Sequence, residues 1–562
     1  MRVSIACEAC RHKKIKCVHE GKPPCQACKI RGLGVDCQLF STQEFRKFKR
    51  GNSVLARLES GNLEISGDIV KSCIQCVARH YPELVFLSFP NNIDLVSVID
   101  QVVALGLCAL SAPFIKESLD SSPTEILNCF ETKLMEKIDD KHSIDYLSLL
   151  QASIVWLLLN WQTGKSTKGY LFGGFADRVY IMLTKQKTEH SNLFEQEFYV
   201  RTLWAYQLTC LSLREGSSAE SKSRLFKFRL PISNQDILFR QAGTEQTLDK
   251  VVIGKTTNLF SLFVYGTHIW TDCCTWVFKG GRNSDKTPPW NPNSEWSRLK
   301  NRIEQFESQL GPKMKYSPEN LEAHYALGQG SIFFYMHLGL YTSKILICRN
   351  YFPFVPLDHN GPKGPFPMLP ELKNAPEGWW SSNAHTVFES SRVVSMLFQG
   401  LDIHNLCPCN SFSGFCALTA ASMLIYIYNF PSYDPLFHQA EVYYNNCEAF
   451  LQYYEQHWEL GKYYHDFLKQ TTKMLQAAST NKITVSSISA FENMKDELLD
   501  VANVAAPLPK ADRLQIENLI DSPRSPRTPK TPSEECEWPG LNMAWAFDWS
   551  NLGTFTFNEY MN

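Results

Sequence analysis

The 562-residue sequence lacks most of the signatures that would mark an enzyme, an exported protein or a membrane protein. There is no G-x-S-x-G, no H-E-x-x-H and no phosphate-binding loop, so hydrolase, zinc-protease and nucleotide chemistry have no starting point. Gly32-Leu33-Gly34 lacks the third glycine and the strand-turn-helix setting of a dinucleotide fingerprint, and His465-Asp466 is too small a constellation for catalysis. The expectation is a protein that is not an enzyme. Met1-Arg2-Val3-Ser4-Ile5-Ala6 has no apolar core of a signal peptide, which points to a reduced, intracellular setting. No window has the length and apolarity of a membrane span: Ser331–Cys348 holds His337 and Lys344, and Gly414–Phe430 reads better as a buried core helix. A soluble chain without a membrane partner follows. A coiled coil is also missing, because Leu55, Leu58, Leu63 and Ile65 hold no heptad and Gly51, Gly61 and Gly67 interrupt any helix. No stretch of the body offers repeated β alternation, and residues 533–562 contain no Lys or Arg.

What is abundant is cysteine in one place. Six of the 19 cysteines lie between Cys7 and Cys37, as C-x2-C-x6-C-x7-C-x2-C-x8-C. A structural zinc takes four tetrahedral ligands, and a C-x2-C pair supplies two from one tight turn. Six thiolates overfill one site; if two of them bridge, they offer eight ligand slots, enough for two ions. Cys7, Cys10, Cys17, Cys25, Cys28 and Cys37 are therefore the candidate metal ligands, with two Zn2+ per chain. A RING-type knot needs eight separate ligands, and neither His12 nor His19 completes that set. Charge is distributed unevenly around a net value of -1. Residues 1–50 carry twelve Lys/Arg against four Asp/Glu, whereas residues 533–562 carry five acids. A basic head and an acidic tail suggest a nucleic-acid end and a protein-contact end.

The cysteine spacing, the basic run Arg11-His12-Lys13-Lys14-Ile15-Lys16 and Lys22-Pro23 before the fourth cysteine resemble the fungal binuclear zinc cluster of DNA-binding regulators. The resemblance covers roughly residues 5 to 40. It implies that Cys7, Cys10, Cys17 and Cys25 hold one ion and Cys25, Cys28, Cys37 and Cys7 the other, with Cys7 and Cys25 bridging. It further implies a short helix after each C-x2-C, Lys13 and Lys14 reading guanine edges of a CGG-like triplet in the major groove, and Arg11, Lys16 and Lys22 holding phosphates. Arg46-Lys47-Phe48-Lys49-Arg50 would track phosphates, direct nuclear import or keep a linker soluble.

From about Asp68 the pattern is helical. Leu147, Leu150, Ile154 and Leu158 mark one helical face, and Val200, Leu203, Trp204, Leu208 and Leu211 another. Residues 279–295 and 359–378 read as long polar loops, and helical pattern returns at Leu321–Cys348, Ala384–Leu401, Gly414–Phe430 and Ala440–Leu475. Cys73, Cys76, Cys273, Cys274, Cys407 and Cys409 read as packed thiols rather than ligands. The body is similar to the fungal-specific transcription factor domain, or middle homology region. The likeness lies in His80 to Leu87, Gly169 to Arg178, Glu197 with Arg201-Thr202-Leu203-Trp204, and Leu230 to Ile237. It implies a regulatory role and a surface for homodimers or heterodimers.

Ser522-Pro523, Ser525-Pro526, Thr528-Pro529 and Thr531-Pro532, interleaved with Arg524, Arg527 and Lys530, form no core; Ser522, Ser525, Thr528 and Thr531 suit proline-directed kinases. The last residues mix acids with Trp538, Trp545, Phe547, Trp549, Phe555 and Phe557, the composition of activation segments that meet coactivators. The expected fold is a small zinc-cluster module, two short helices around two Zn, followed by a large all-α domain and a disordered C-terminal tail. The boundaries are 1–40 for the cluster, 41–67 for a basic linker, 68–487 for the helical domain, 488–532 for the Ser/Thr-Pro linker and 533–562 for an activation tail. The expected function is a nuclear, zinc-dependent, sequence-specific regulator that binds double-stranded DNA, an activator by its tail. The alternative is a zinc-knot interaction scaffold, or a repressor.

Overall fold

A computed structural model of the chain describes residues 5–7, 10, 16–19, 25–30, 39–41 and 57–60 near the N-terminus and, with short gaps, residues 63–480. The expectations for the first basic run, the Ser/Thr-Pro sites and the acidic-aromatic tail fall largely or wholly outside these residues. The chain divides into two compact units, Met1–Ile74 with Asn92–Thr132 and Gln75–Asn91 with Lys133–Asn562.

In the first unit β1 (Ile5–Cys7) pairs antiparallel with β2 (Leu39–Ser41), with α1 (Gln26–Ile30) between them in sequence. Further on, β3 (Arg57–Ser60) and β4 (Leu63–Ser66) form an antiparallel hairpin in the register Leu58↔Ile65 and Ser60↔Leu63. The stretch expected to be plain linker thus holds strands. Gly61-Asn62 between two short runs, of which Leu63-Glu64-Ile65-Ser66 alternates, is a hairpin signal. Three helices follow: α2 (Gly67–His80), whose residues from Gln75 belong to the second unit, α3 (Gln101–Ser111), and α4 (Pro123–Asp139), whose residues from Lys133 belong to the second unit. Asp100 caps α3, its carboxylate accepting from the Val102 N–H at 2.9 Å. A capping box opens α4, where Ser122 and Glu125 each accept the other's backbone N–H, at 3.2 and 3.0 Å. The Cys73 thiol bonds that of Cys108 in the α3 core, and this bond draws Cys73 below the usual thiol range. It is a packed thiol, as expected.

The named elements of the second unit are all helices, joined by loops and by one isolated antiparallel bridge between Arg229 and Thr247 among its described residues. Its main helices are α5 (Tyr146–Gln162), α6 (Ser166–Lys185), α7 (Leu193–Leu213), the short α8 (Asn234–Leu238), α9 (Leu259–Phe278), α10 (Glu295–Gln309), α11 (Pro318–Ala326), α12 (Gly330–Arg349), α13 (Trp379–Asp402), α14 (Ser411–Asn429), α15 (Ala440–His457) and α16 (Glu459–Thr480). Side-chain oxygens start many of them: Asp145, Ser233, Ser294, Ser317 and Asn410 each accept a backbone N–H of the first turn. Gly164, at φ +71°, ends α5, and Gly328, also at +71°, separates α11 from α12. Helix α5 packs on α6 and α7, α7 on α9, α9 on α12, α12 on α13, and α14 on α15 and α16.

Periodicity understated how deeply two helices lie. Every residue from Ser148 to Gln162 of α5 is buried, and so is the stretch from Val200 to Cys210 of α7, so both are core on all sides. The expectation that no window has the length and apolarity of a membrane span is corrected for α12 and α14, which have both, although 83% of each apolar window is buried within the protein. The 279–295 loop is shorter than expected, since Gly281–Asn283 makes a 3-10 turn and Ser294 already caps α10. Cys273, Cys274 and Cys409 are buried thiols. The His465 Nδ1 meets the Glu455 carboxylate at 2.5 Å, joining α16 to α15.

Buried polar groups cross-link this unit. The Asn410 amide donates to the His80 carbonyl at 2.7 Å, and the Cys409 N–H donates to His80 Nδ1 at 3.2 Å. Glu83, 2% exposed, meets the Tyr335 hydroxyl but leaves Oε2 without a partner among the described residues. His324 and His337 sit either side of Phe333 and hydrogen-bond the Lys313 and Met314 carbonyls through Nε2, at 3.1 and 2.9 Å.

Candidate metal centre

The N-terminal sulfurs converge although they are far apart in sequence. Cys7 ends β1, where pairing with Leu39 of β2 fixes its backbone. Cys10 follows within one turn, and its N–H donates to Cys7 Sγ at 3.4 Å. Cys17 lies in the non-helical segment Lys16–His19, and its sulfur accepts the Cys7 N–H at 3.4 Å. Cys25 immediately precedes α1, whose first N–H, from Gln26, donates to the Val18 carbonyl at 2.9 Å. That bond ties the Cys17 segment to the helix that carries Cys25.

Cys7 Sγ and Cys10 Sγ stand 3.7 and 3.6 Å from Cys25 Sγ, and the ligand atoms of Cys7, Cys10, Cys17 and Cys25 all lie within 4.8 Å of one another. A tetrahedron of sulfurs about 2.3 Å from a central zinc has edges of about 3.8 Å. The four-sulfur set therefore has the dimensions of a zinc site without rearrangement. Cys7, Cys10 and Cys25 are 1%, 1% and 0% exposed, and among the described residues Cys17, Ala27 and Leu39 pack against them. Burial, with hydrogen bonds from Cys7 and Cys25, pushes the Cys10 thiol up, and burial does the same to Cys17. Thiols crowded in this way ionise when a dication is present to share their charge.

The remaining expected site residues are placed only in part. Cys28 lies on α1, but its side chain, like all of Cys37, is outside the described residues, as are Arg11, Lys13, Lys14 and Lys22. Lys16 is exposed and lies in a non-helical segment, although the resemblance implies a helix after the first C-x2-C. The second C-x2-C does open a helix, α1, as expected. Two contributors went unremarked in the sequence: the β1–β2 pair that closes the module, and the Val18 carbonyl. Ile5-Ala6-Cys7 and Leu39-Phe40-Ser41 are too short to register as strands, and only their pairing reveals them.

Residues 5–47 match the fungal Zn(2)-Cys(6) binuclear cluster domain. The chain carries this domain at its N-terminus, and the domain binds two zinc ions. Curated relatives extend the likeness. An uncharacterized transcriptional regulatory protein of Schizosaccharomyces pombe is 22% identical over 505 residues, covering 75% of this chain and 71% of its own length. A second from the same organism is 25% identical over 300 residues, 47% of this chain and 30% of its own. A Zn(2)-C6 fungal-type transcription factor of Fusarium oxysporum is 21% identical over 354 residues, covering 58% of this chain and 32% of that protein. The chain thus spans most of one relative and about a third of the other two. No solved structure matches it.

Proposed function

We propose that this chain is a zinc-dependent, sequence-specific DNA-binding regulator of RNA polymerase II transcription that works in the nucleus. The observation that carries the reading is the four-sulfur constellation of Cys7, Cys10, Cys17 and Cys25 inside a segment matching the binuclear cluster domain. When bound, the zinc ions supply the cross-links and positive charge that a core of about 40 residues cannot, so that metal binding is the folding free energy of the head. In this reading Cys28 and Cys37 complete the second ion's ligands, and Cys7 and Cys25 bridge. Lys13 and Lys14 donate to guanine O6 and N7 of a CGG-like triplet, each contact worth roughly 1–3 kcal/mol of discrimination. Arg11, Lys16 and Lys22 hold phosphates and set register and salt dependence; exposure of Lys16 beside Cys17 supports its part.

The helical body, proposed as a middle homology region spanning 68–487, offers the dimer contact that no zipper supplies, and the 533–562 tail recruits coactivators. Ser522, Ser525, Thr528 and Thr531 would be kinase sites in the 488–532 linker. The test is selection from a random duplex pool with the full chain, with and without a zinc chelator. Enrichment of CGG-containing sequences only without chelator is expected. No enriched sequence would favour a zinc-knot scaffold instead. A Lys14→Ala chain should keep its zinc and lose base preference.

A further inference from the structure

Three half-buried indoles in the second unit form a surface cluster for which DNA binding has no use. Trp379 and Trp380 open α13 with ring centroids 4.7 Å apart at 89°. Trp290, from Pro288-Pro289-Trp290-Asn291-Pro292, stands edge-on to both, at 5.4 and 6.3 Å. All three are only half-buried. Beneath them Trp296 and Tyr351 each hold Trp379 at 5.4 Å, and Trp296 donates its indole N–H to the Ile347 carbonyl. By contrast, the N–H groups of Trp290, Trp379 and Trp380 donate to nothing among the described residues. Half-buried rings meeting edge to face present corners rather than a flat surface, and indole donors without a partner among the described residues suit a ligand whose backbone carbonyls have no internal partner. A polyproline II segment is such a ligand.

One segment of this chain has the matching pattern. Pro523, Pro526, Pro529 and Pro532 recur at every third position. In a polyproline II helix, with three residues per turn, they fall on one edge. Arg524, Arg527 and Lys530 fall on a second edge and Ser522, Ser525, Thr528 and Thr531 on the third. The segment holds three cations and no acid, whereas the indole surface is flanked by Glu377, exposed and without an ion pair among the described residues. About 40 residues separate Thr480 from Ser522, a tether that reaches on the order of 100 Å when extended.

We propose that residues 522–532 dock as a polyproline II segment on the Trp290, Trp379 and Trp380 surface, prolines against the rings and cations toward Glu377. This assignment is independent of DNA binding and stands or falls separately from it. The test is limited trypsinolysis of the full chain followed by mass spectrometry. Arg524, Arg527 and Lys530 are each followed by Ser or Thr and are cleavable, and Lys510 and Arg513 serve as internal controls. Docking slows cleavage at the three sites about fivefold relative to a Pro523→Ala, Pro526→Ala, Pro529→Ala chain, whose folded body is untouched. Trp380→Ala, checked by its melting curve, should abolish the protection. So should Ser522→Glu, Ser525→Glu, Thr528→Glu and Thr531→Glu together, which outnumber the three cations. Equal rates in the native chain and the proline variant would overturn the proposal, as would protection that survives both Trp380→Ala and the glutamate replacements.

Discussion

Arg201 and Glu197, one turn apart on α7, form an ion pair of 2.8 Å in which neither side chain is exposed at all. Each of the three guanidinium nitrogens has a partner. The guanidinium donates to the Ser88 and Ile232 carbonyls and lies between the rings of Phe89 and Phe260, at 4.3 and 4.5 Å. Glu197 also accepts from Arg229 at 2.7 Å and from the Ile232 N–H at 3.0 Å. Removing one partner strands the other in a dry core. Glu197→Ala should lower the stability of the body by about 3–5 kcal/mol. Replacing both, as Glu197→Leu with Arg201→Met, should cost less than the two single changes added. Urea unfolding followed by circular dichroism measures the cycle.

Gly414 gives a second, purely steric prediction. A Cβ there would lie 2.8 Å from the Tyr464 ring and 2.9 Å from that of Tyr454. Both tyrosines are buried, so neither can swing away. Gly414→Ala, a better helix former in isolation, should nonetheless destabilise by about 1–3 kcal/mol, visible as a lowered melting temperature.

Stability should peak near pH 6.5. Burial pushes His337 down from its ordinary 6.5 to about 4 and His80 to about 3, so both are neutral in the fold. As pH falls below 6.5 the unfolded chain takes up protons that the folded chain refuses, and stability drops until the folded values are reached. Glu83 has the opposite sign. Burial pushes it up from 4.5 to about 8, so between those values the folded chain holds a proton that the unfolded chain releases, and stability falls as pH rises. His337→Gln should flatten the acid limb and Glu83→Gln the alkaline one, in melting temperatures taken from pH 5 to 8.

Cys25 lies within 3.7 Å of both Cys7 and Cys10 sulfurs. As a bridging ligand it would serve both ions, so Cys25→Ser should reduce bound zinc from two per chain to none, measured by atomic emission. Cys10→Ser removes a ligand proposed for one ion alone and should spare at least some of the second. Melting of the helical body should be unchanged in both. One ion retained in Cys25→Ser would show that it does not bridge.

The metal centre was legible because ligand chemistry is written into spacing: two C-x2-C units and two single cysteines admit few arrangements. The helical body was legible in class from its apolar periodicity, but not in depth. A helix such as α5 that is buried all round carries no polar stripe to contrast with, so Leu147 and Ile154 suggest a face where there is none. The short strands were not legible, because Ile5–Cys7 and Leu39–Ser41 gain meaning only from each other across more than thirty residues. The Arg201 cluster was half visible. Glu197, Arg201 and Ile232 stood out separately as pieces of a resemblance, and folding brings those pieces into one hydrogen-bonded knot.

The pairing of Ile5 with Ser41 has a consequence for how the head can be handled. Partners across an antiparallel pair lie about 5 Å apart, so the chain enters and leaves the metal module at one point. The module is a loop on a single stem, and residues 5–41 could be spliced into a surface turn of an unrelated protein while the host's own ends stay where they were.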